Sequence, residues 1–148
     1  MNEPAPTPWL LRRQVLPQHT DHAGVMWHGA YLAWLEEARV GALAEAGLAY
    51  SDLSARGFEL PVVHLAISYR QALLHGEWVE LRTRMLQRRG ARFPWHTEFV
   101  GGGGRLAAEA RVDLVLVDLS GGPARRRLLR TAPAELEQAL ARLERGPS

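Results

Sequence analysis

Residues 21–46 read DHAGVMWHGAYLAWLEEARVGALAEA, and this stretch decides what the fold must contain. From Gly29 onward, apolar side chains recur at intervals of three and four residues, which is the period of a helix with one buried stripe. The stripe consists of Tyr31, Trp34, Leu35, Ala38, Ala42 and Ala46. Gly47 is suited to end the helix, because glycine readily takes the left-handed conformation found there. The stretch therefore predicts a helix over 29–46, and its alanines allow a broad surface such as a sheet to pack closely.

Strand patterns fill most of the remaining chain. Five strands are predicted, and they span 9–16, 60–73, 77–88, 92–100 and 105–118. The run Gly101 to Gly104 is predicted to be a flexible hairpin tip. A short helix or turn at 51–57 and an amphipathic helix over 133–143, with Thr131 as its N-cap, complete the prediction. Successive strands joined by tight turns run antiparallel, so the fold class is α+β, with a long central helix and an antiparallel sheet of about five strands.

The composition limits the class of protein. The 148 residues make one domain, and the hydrophobic fraction of 47% and charged fraction of 23% are ordinary for a globular protein. The absence of cysteine excludes a disulfide scaffold, a thiol nucleophile and cysteine-ligated metal sites. A net charge of +2, without a block of five or six basic residues, does not support a nucleic-acid partner. No stretch approaches the 18 apolar residues or so that a membrane span requires.

The domain is predicted to extend over 9–143. Residues 1–8 are acidic and proline-rich, and we expect them to form a flexible N-terminal segment. They lack the basic region and the apolar region of a secretory signal, so a cytoplasmic location is expected.

Polar side chains concentrate just before the predicted helix, between His19 and His28. A helix N-terminus carries unpaired backbone N–H groups and a partial positive charge, so it can bind an anion or an oxygen that becomes one. A carboxylate such as Asp21 on the preceding loop can face that place, and an acid–base group beside an oxyanion site is what acyl transfer requires. The residues alone also allow a simpler role, in which Asp21 is a helix cap and Gly24 completes a turn.

The segment from Asp21 to Tyr31, followed by Trp34-Leu35-Glu36-Glu37-Ala38-Arg39, resembles the signature of a known family. This family is the hotdog-fold acyl-CoA thioesterases of the 4-hydroxybenzoyl-CoA thioesterase type, which includes thioesterases found near the Tol-Pal cell-envelope system. The resemblance continues through Leu60-Pro61-Val62-Val63, Tyr69-Arg70, His75-Gly76-Glu77 and Arg88-Arg89. It covers the chain from about Leu11 to Val117, and its block from Asp21 to Arg39 is the most specific part.

The resemblance implies a hotdog fold, in which a curved antiparallel sheet wraps a long helix. It implies that two subunits pair their sheets edge to edge, as a homodimer or in a homotetramer, with active sites between them. Asp21 takes the place of the family's catalytic carboxylate, and the backbone N–H of His28 takes the place of its oxyanion donor. Gly24 and Tyr31 belong to the same catalytic segment. The resemblance implies no metal and no redox cofactor, with coenzyme A present as part of the substrate.

The resemblance also implies where the substrate binds. Leu60, Val62 and His64 fall on a strand that lines the acyl pocket in the family. Arg88, Arg89 and Arg92 take the place of a basic cluster that faces the phosphates of coenzyme A, and guanidinium groups bind phosphate through forked, charge-assisted hydrogen bonds. Without the resemblance, these arginines read as a solvated charged turn.

Several points stay open from the sequence. Ala30 stands where the family usually has Asn, which removes a polar group close to the reacting centre. Asp21 would either attack the thioester directly or activate a water molecule as a general base. The acyl group is either aromatic or a short or medium aliphatic chain. Two alternatives to the thioesterase are a hotdog dehydratase or hydratase and a non-enzymatic module that binds acyl-CoA or an acyl carrier protein.

Overall fold

The computed structural model describes residues 6–147. In this range lie seven β-strands and three α-helices, which are β1 (Trp9–Gln14), α1 (His28–Glu45), α2 (Tyr50–Ala55), β2 (Phe58–Glu59), β3 (Val62–Tyr69), β4 (Trp78–Met85), β5 (Arg92–Val100), β6 (Leu106–Asp118), β7 (Arg127–Leu129) and α3 (Ala134–Arg145).

The strands pair antiparallel, and the long ones follow the order β1, β4, β5, β6, β3 across the sheet. One row of paired residues crosses all five of them, from Leu11 through Leu81, Phe99 and Ala108 to Tyr69. Residues opposite each other in neighbouring strands point to the same face. Tyr31 of α1 packs its ring against Phe99 and Tyr69, so this is the face that receives the long helix. The predicted α+β hotdog arrangement is present.

The long helix forms where the apolar period predicts it. It begins at His28, one residue before the predicted start, and every member of the predicted stripe is buried against the sheet or the other helices. Gly47 has φ +90°, the left-handed conformation expected after the helix end. Its amide donates to the carbonyl of Ala44, and that of Leu48 to the carbonyl of Leu43. These bonds satisfy carbonyls that a helix end otherwise leaves unpaired.

Two features of the sheet differ from the prediction. The short strands β2 and β7 were not expected, and both pair with the C-terminal end of β6, where Asp118 lies opposite Phe58 and Arg127. Strands of two or three residues are too short to show an alternating pattern. The predicted strand over 60–73 is wrong in extent, because Pro61 has no amide hydrogen and separates β2 from β3.

The last helix confirms its predicted apolar face and corrects its predicted start. Leu136, Leu140 and Leu143 are buried, as expected. Thr131 is not the N-cap, since α3 begins at Ala134 and Pro133 occupies the cap position without a side-chain hydrogen bond. Proline is compatible with a helix start because its φ is already fixed near the helical value.

Pro6, near the N-terminus, contacts β4, and β1 and β3 are the edge strands of the sheet. Residues 1–5 of the predicted flexible segment lie outside the described residues, and the Pro6 carbonyl accepts a hydrogen bond of 2.9 Å from Arg84. Among residues 6–147, β1 pairs only with β4 and β3 only with β6, so these two strands form the sheet edges. Between residues 6 and 147, no helix is both long and apolar enough to cross a bilayer.

Candidate active site

The loop before α1 is closed by the carboxylate of Asp21. Its Oδ1 accepts the backbone N–H of Ala23 at 2.8 Å and approaches that of Val25 at 3.4 Å. The Asp21 amide donates to the Val25 carbonyl at 2.9 Å, and Gly24, with φ +78°, allows the chain to turn between them. Both contacts of the carboxylate use Oδ1, and the residue is exposed. The second oxygen, Oδ2, is therefore available for chemistry.

The same loop is attached to the turn that precedes β4. The Met26 amide donates to the Leu73 carbonyl at 2.8 Å, and the His75 amide donates to the Gly24 carbonyl at 3.1 Å. Val25 and Leu74 form an isolated antiparallel bridge between these two bonds. The position of Asp21 thus depends on a segment about fifty residues later in the chain.

The start of α1 leaves backbone donors without partners from the helix. Trp27 is the N-cap residue and provides no side-chain acceptor, while its carbonyl accepts the N–H of Ala30 at 3.0 Å. The N–H groups of His28 and Gly29, in the first turn, lack an intrahelical acceptor by the geometry of any α-helix. Together with the helix dipole, they favour a negative charge at this place.

Trp27 lies folded over the first turn of the helix. A Cβ added at Gly29 would overlap the far end of the Trp27 indole, which would then have to shift. Glycine at this position therefore admits the indole, which also makes an edge-on contact with the His28 ring at 5.2 Å. The aromatic pair forms a wall beside the unpaired N–H groups.

A shallow, open cavity of about 290 Å³ adjoins both the loop and the first turns of α1. It is lined by Val25, Met26, Tyr31, Tyr69, Arg70, Gln71 and Ala72. Burial raises the pKa of Tyr31 to about 12, with the charge of Glu77 adding to the effect. The hydroxyl is therefore protonated at any working pH, and Tyr31 serves as a packed wall of the cavity between Tyr69 and Phe99.

The histidines of the loop have different surroundings. His19 holds the loop together, because its Nδ1 accepts the Leu16 amide at 3.0 Å and its carbonyl accepts the Trp27 amide at 3.0 Å. Its ring also packs edge-on against Trp34 at 5.1 Å. His22 and His28 are exposed. No group of three or more metal-ligating side chains occurs within residues 6–147.

Comparison with known proteins identifies the family. A family model described as the thioesterase-like superfamily matches residues 15–142. The chain belongs to this superfamily. Among its relatives, "Putative esterase sll0410" of Synechocystis is 35% identical over 131 residues, which are 88% of this chain and 76% of that protein. "Putative acyl-CoA thioesterase YneP" of Bacillus subtilis is 30% identical over 99 residues, which are 67% of this chain and 72% of that protein.

A solved structure gives the same assignment. The 1,4-dihydroxy-2-naphthoyl-CoA thioesterase of Synechocystis superposes with a TM-score of 0.77 and 25% identity, over 92% of this chain and 97% of that one. The predicted family, the hotdog fold and the enzyme class of thioester hydrolase are confirmed.

The predicted acyl-contact residues of the thioesterase do not lie together with Asp21 in one subunit. Leu60 and Val62 line a second cavity of about 160 Å³, at the end of the sheet remote from the Asp21 loop. A bulge follows Val62, so His64 lies opposite Asp113 while Leu65 lies opposite Val112. His64 therefore shares a face with Asp113 on the outside of the sheet, away from α1.

The three predicted coenzyme A arginines also differ from one another. Arg88 is engaged within the fold, since it donates to the Glu137 carboxylate at 2.8 Å and its guanidinium lies 4.4 Å from the centre of the Phe93 ring. Arg92 donates to the Asp113 carboxylate at 3.1 Å. Arg89 is exposed, and no ion pair involves its side chain in residues 6–147. Of the three, Arg89 presents the guanidinium that is most available to a ligand.

Three residues that shape the site were not predicted from the sequence. Glu77 and Arg105 form an ion pair that binds the turn before β4, and Tyr69 lines the cavity. The only signal for Glu77 was its place in His75-Gly76-Glu77, which belongs to the family resemblance. A charged residue at the start of an alternating strand is ordinarily solvated, so its partial burial could not be read from the pattern.

Proposed function

We propose that this thioesterase hydrolyses an acyl-CoA thioester to a free acid and coenzyme A, with Asp21 as the catalytic carboxylate. The observation that carries the proposal is the shared cavity, which is lined by Val25 and Met26 of the Asp21 loop and by Tyr31 of the first turns of α1. Asp21 lies on the loop that supplies Val25 and Met26, and the His28 and Gly29 amides precede Tyr31 in the first turn of α1. We therefore expect a thioester bound at this cavity to reach both the carboxylate and the helix N–H groups.

The chemistry requires few groups. As the carbonyl is attacked, its oxygen becomes negative, and the His28 and Gly29 amides stabilise it, each by about 2.7–4 kcal/mol if they match measured oxyanion donors. In one route, Asp21 takes a proton from water while the water oxygen attacks the carbonyl. In the other, Asp21 attacks, expels the thiolate and forms an anhydride that water then hydrolyses. In both, the C–S bond breaks and the thiolate leaves as coenzyme A.

We further propose that the working unit is a dimer through β3. The Asp21 loop lies beside the β3–β4 turn, whereas the Leu60 cavity and the 88–92 turn lie at the opposite end of the sheet, roughly 25 Å away along the eight residues of β4. Two copies of β3 paired about a two-fold axis run antiparallel and bring opposite ends of their sheets together. Each Asp21 would then meet the acyl and coenzyme A contacts of the other subunit.

The exposed side chains of β3 support this assembly. Its helix-facing residues Val62, Leu65 and Tyr69 are apolar and 44%, 39% and 53% exposed, although they belong to the core face of the sheet. A free edge strand with apolar side chains is a template for pairing with another strand. Arg89, on the outlying turn, would contact the phosphates of coenzyme A bound across the dimer.

The test is Asp21→Asn, assayed by release of free thiol from a panel of aromatic and aliphatic acyl-CoAs. Asparagine keeps a side-chain oxygen that can accept the Ala23 amide, so the loop remains closed. We expect kcat to fall by about 10²–10⁴-fold, as for loss of a general base, while acyl-CoA still binds. Asp52→Asn on exposed α2 is the matched control and should retain full activity. Hydrolysis by Asp21→Asn at the normal rate would contradict the role of Asp21, and enoyl-CoA hydration without thiol release would contradict the reaction.

A further inference from the structure

We propose that Glu77 and Arg105 are positioning residues for this site, and that their ion pair fixes the turn on which the Asp21 loop is built. The inference rests on the proposed function, because it concerns the same reaction. It also gives a reason for the glycine at position 101, which the site itself does not use.

Glu77 joins its own turn to the 101–105 hairpin through one carboxylate. Oε2 accepts the Leu74 amide at 3.0 Å, and Oε1 accepts the Gly102 amide at 3.1 Å. Arg105 pairs with both oxygens and also donates to the Ala72 carbonyl at 2.9 Å. The Glu77 side chain is only 14% exposed. Charge-assisted bonds in a partly buried place are stronger than the exposed ion pairs of a protein surface.

The turn held by Glu77 is the partner of the catalytic loop. Leu74, whose amide binds the carboxylate, forms the bridge with Val25, and the neighbouring Leu73 carbonyl accepts the Met26 amide. Val25 in turn accepts the Asp21 amide. A short series of backbone bonds therefore runs from the Glu77 carboxylate to Asp21, and loosening its first member would let the loop move.

The ion pair also contacts the lining of the cavity. Arg105 donates to the carbonyl of Ala72, which lines the cavity together with Tyr31. The hydrogen bond that Arg105 donates to Glu77 lowers the pKa of the Glu77 carboxyl to about 2. The carboxylate is therefore ionised throughout the working range of pH, and the contact behaves as a permanent connection.

Glycine at position 101 leaves room for this arrangement. A Cβ there would lie 2.8 Å from Glu77 Oε1, 3.1 Å from the Leu73 side chain and 3.2 Å from Arg105 Nη1. A methyl group would push directly into the ion pair. At Gly102 the same addition meets Glu77 Oε1 at an ordinary 3.6 Å, and alanine keeps the amide that binds it. The two positions give a matched pair of variants.

The experiment compares Glu77→Gln, Gly101→Ala and Gly102→Ala on an acyl-CoA that the wild type hydrolyses. We expect Glu77→Gln to lower kcat at least tenfold with KM within twofold, and Gly101→Ala to lower kcat severalfold. Gly102→Ala should match the wild type. In an Asp21→Asn background, Glu77→Gln should cause no further loss, because it acts through Asp21.

Amide hydrogen exchange gives a readout that does not depend on activity. Glu77→Gln should speed exchange of the Met26 amide, and of the His75 amide, at least tenfold, while amides in the middle of β5 keep their protection. Normal kcat in folded Glu77→Gln, or unchanged Met26 exchange, would overturn the inference. If Glu77→Gln does not fold, Gly101→Ala carries the same two readouts. If Asp21→Asn hydrolyses the substrate at the full rate while Glu77→Gln still speeds exchange of the Met26 amide, the catalytic role of Asp21 is rejected. The role of Glu77 in holding the loop is then retained.

Discussion

Single arginines on the 88–92 turn have different roles despite their similar sequence context. Arg88 binds Glu137 and the Arg130 carbonyl and lies over Phe93, so it ties the β4–β5 turn to α3. Arg89, the next residue, is exposed and is the one we expect to meet coenzyme A. The two neighbouring side chains therefore differ in their surroundings, since that of Arg88 is held within the fold and that of Arg89 is exposed.

This difference predicts opposite effects for two alanine variants. Arg88→Ala should lower the free energy of unfolding by about 1 kcal/mol or more, because a partly buried carboxylate and an aromatic contact lose their partner. Arg89→Ala should change stability by less than about 0.5 kcal/mol and raise KM for acyl-CoA severalfold with kcat unchanged. Urea unfolding and steady-state kinetics on both variants check this. A normal KM for Arg89→Ala would remove this arginine from substrate binding.

Individual side chains were predictable where the local sequence determines their surroundings. Asp21 and His28 lie in one continuous segment, so their closeness to the helix start followed from the helix signal and the family resemblance. The face of the sheet on which His64 lies depends on a bulge after Val62. The ion pair of Arg92 depends on Asp113, which lies in another strand. Neither partner is marked in the sequence around these residues, and tertiary pairing decides both.

At the scale of elements, two glycines of the α1 region differ in whether the backbone needs glycine: Gly41 inside the helix and Gly47 after its end. Gly41 lies inside the helix, and a Cβ there would meet no atom within 4 Å. Gly47 follows the helix end with φ +90°, a conformation that costs L-residues energy. The long helix therefore contains one glycine that the fold does not need and is followed by one that it does.

The same substitution at these two positions should have effects of opposite sign. Gly41→Ala should raise the free energy of unfolding by up to about 1 kcal/mol, since alanine forms helix more readily. Gly47→Ala should lower it by about 1 kcal/mol through left-handed strain. Thermal and urea unfolding of the two variants provide the measurement, with activity as a check that the site is intact. A stabilised Gly47→Ala would mean that the helix does not end as described.

Elements with a long regular period were also the ones that the sequence predicted. The apolar stripe extends along the 18 residues of α1, and the alternation extends along the 8 residues of β4. Both patterns are long enough to identify the type of element. β2 and β7 exist only because the end of β6 extends past the main sheet and offers free backbone groups. These two strands are too short for their own sequences to predict a strand.

At the scale of the whole molecule, the two open edges of the sheet are chemically unlike. Leu65 on β3 points to the helix side, among apolar neighbours that a single subunit leaves uncovered. Leu10 on β1 is 60% exposed and shares its face with charged residues, including Arg82 and Glu98. In a monomer, the apolar side chains at the β3 edge would stay exposed to water, which costs about 25 cal/mol for each Å² of apolar area. The second edge has polar neighbours that water can solvate.

The proposed dimer pairs β3 with its copy, and this contrast between the edges leads to a test. Leu65→Glu should dissociate such a dimer into monomers, because pairing β3 with its copy would bury the new charge. In the proposed dimer both subunits complete each site, so activity should fall as well. Leu10→Glu introduces the same charge on the opposite edge and should leave both the mass and the turnover unchanged. Sedimentation equilibrium over a range of concentrations, with thiol release measured on the same samples, separates the outcomes. A monomeric wild type, or a fully active monomer of Leu65→Glu, would show that the catalytic site is complete within one chain.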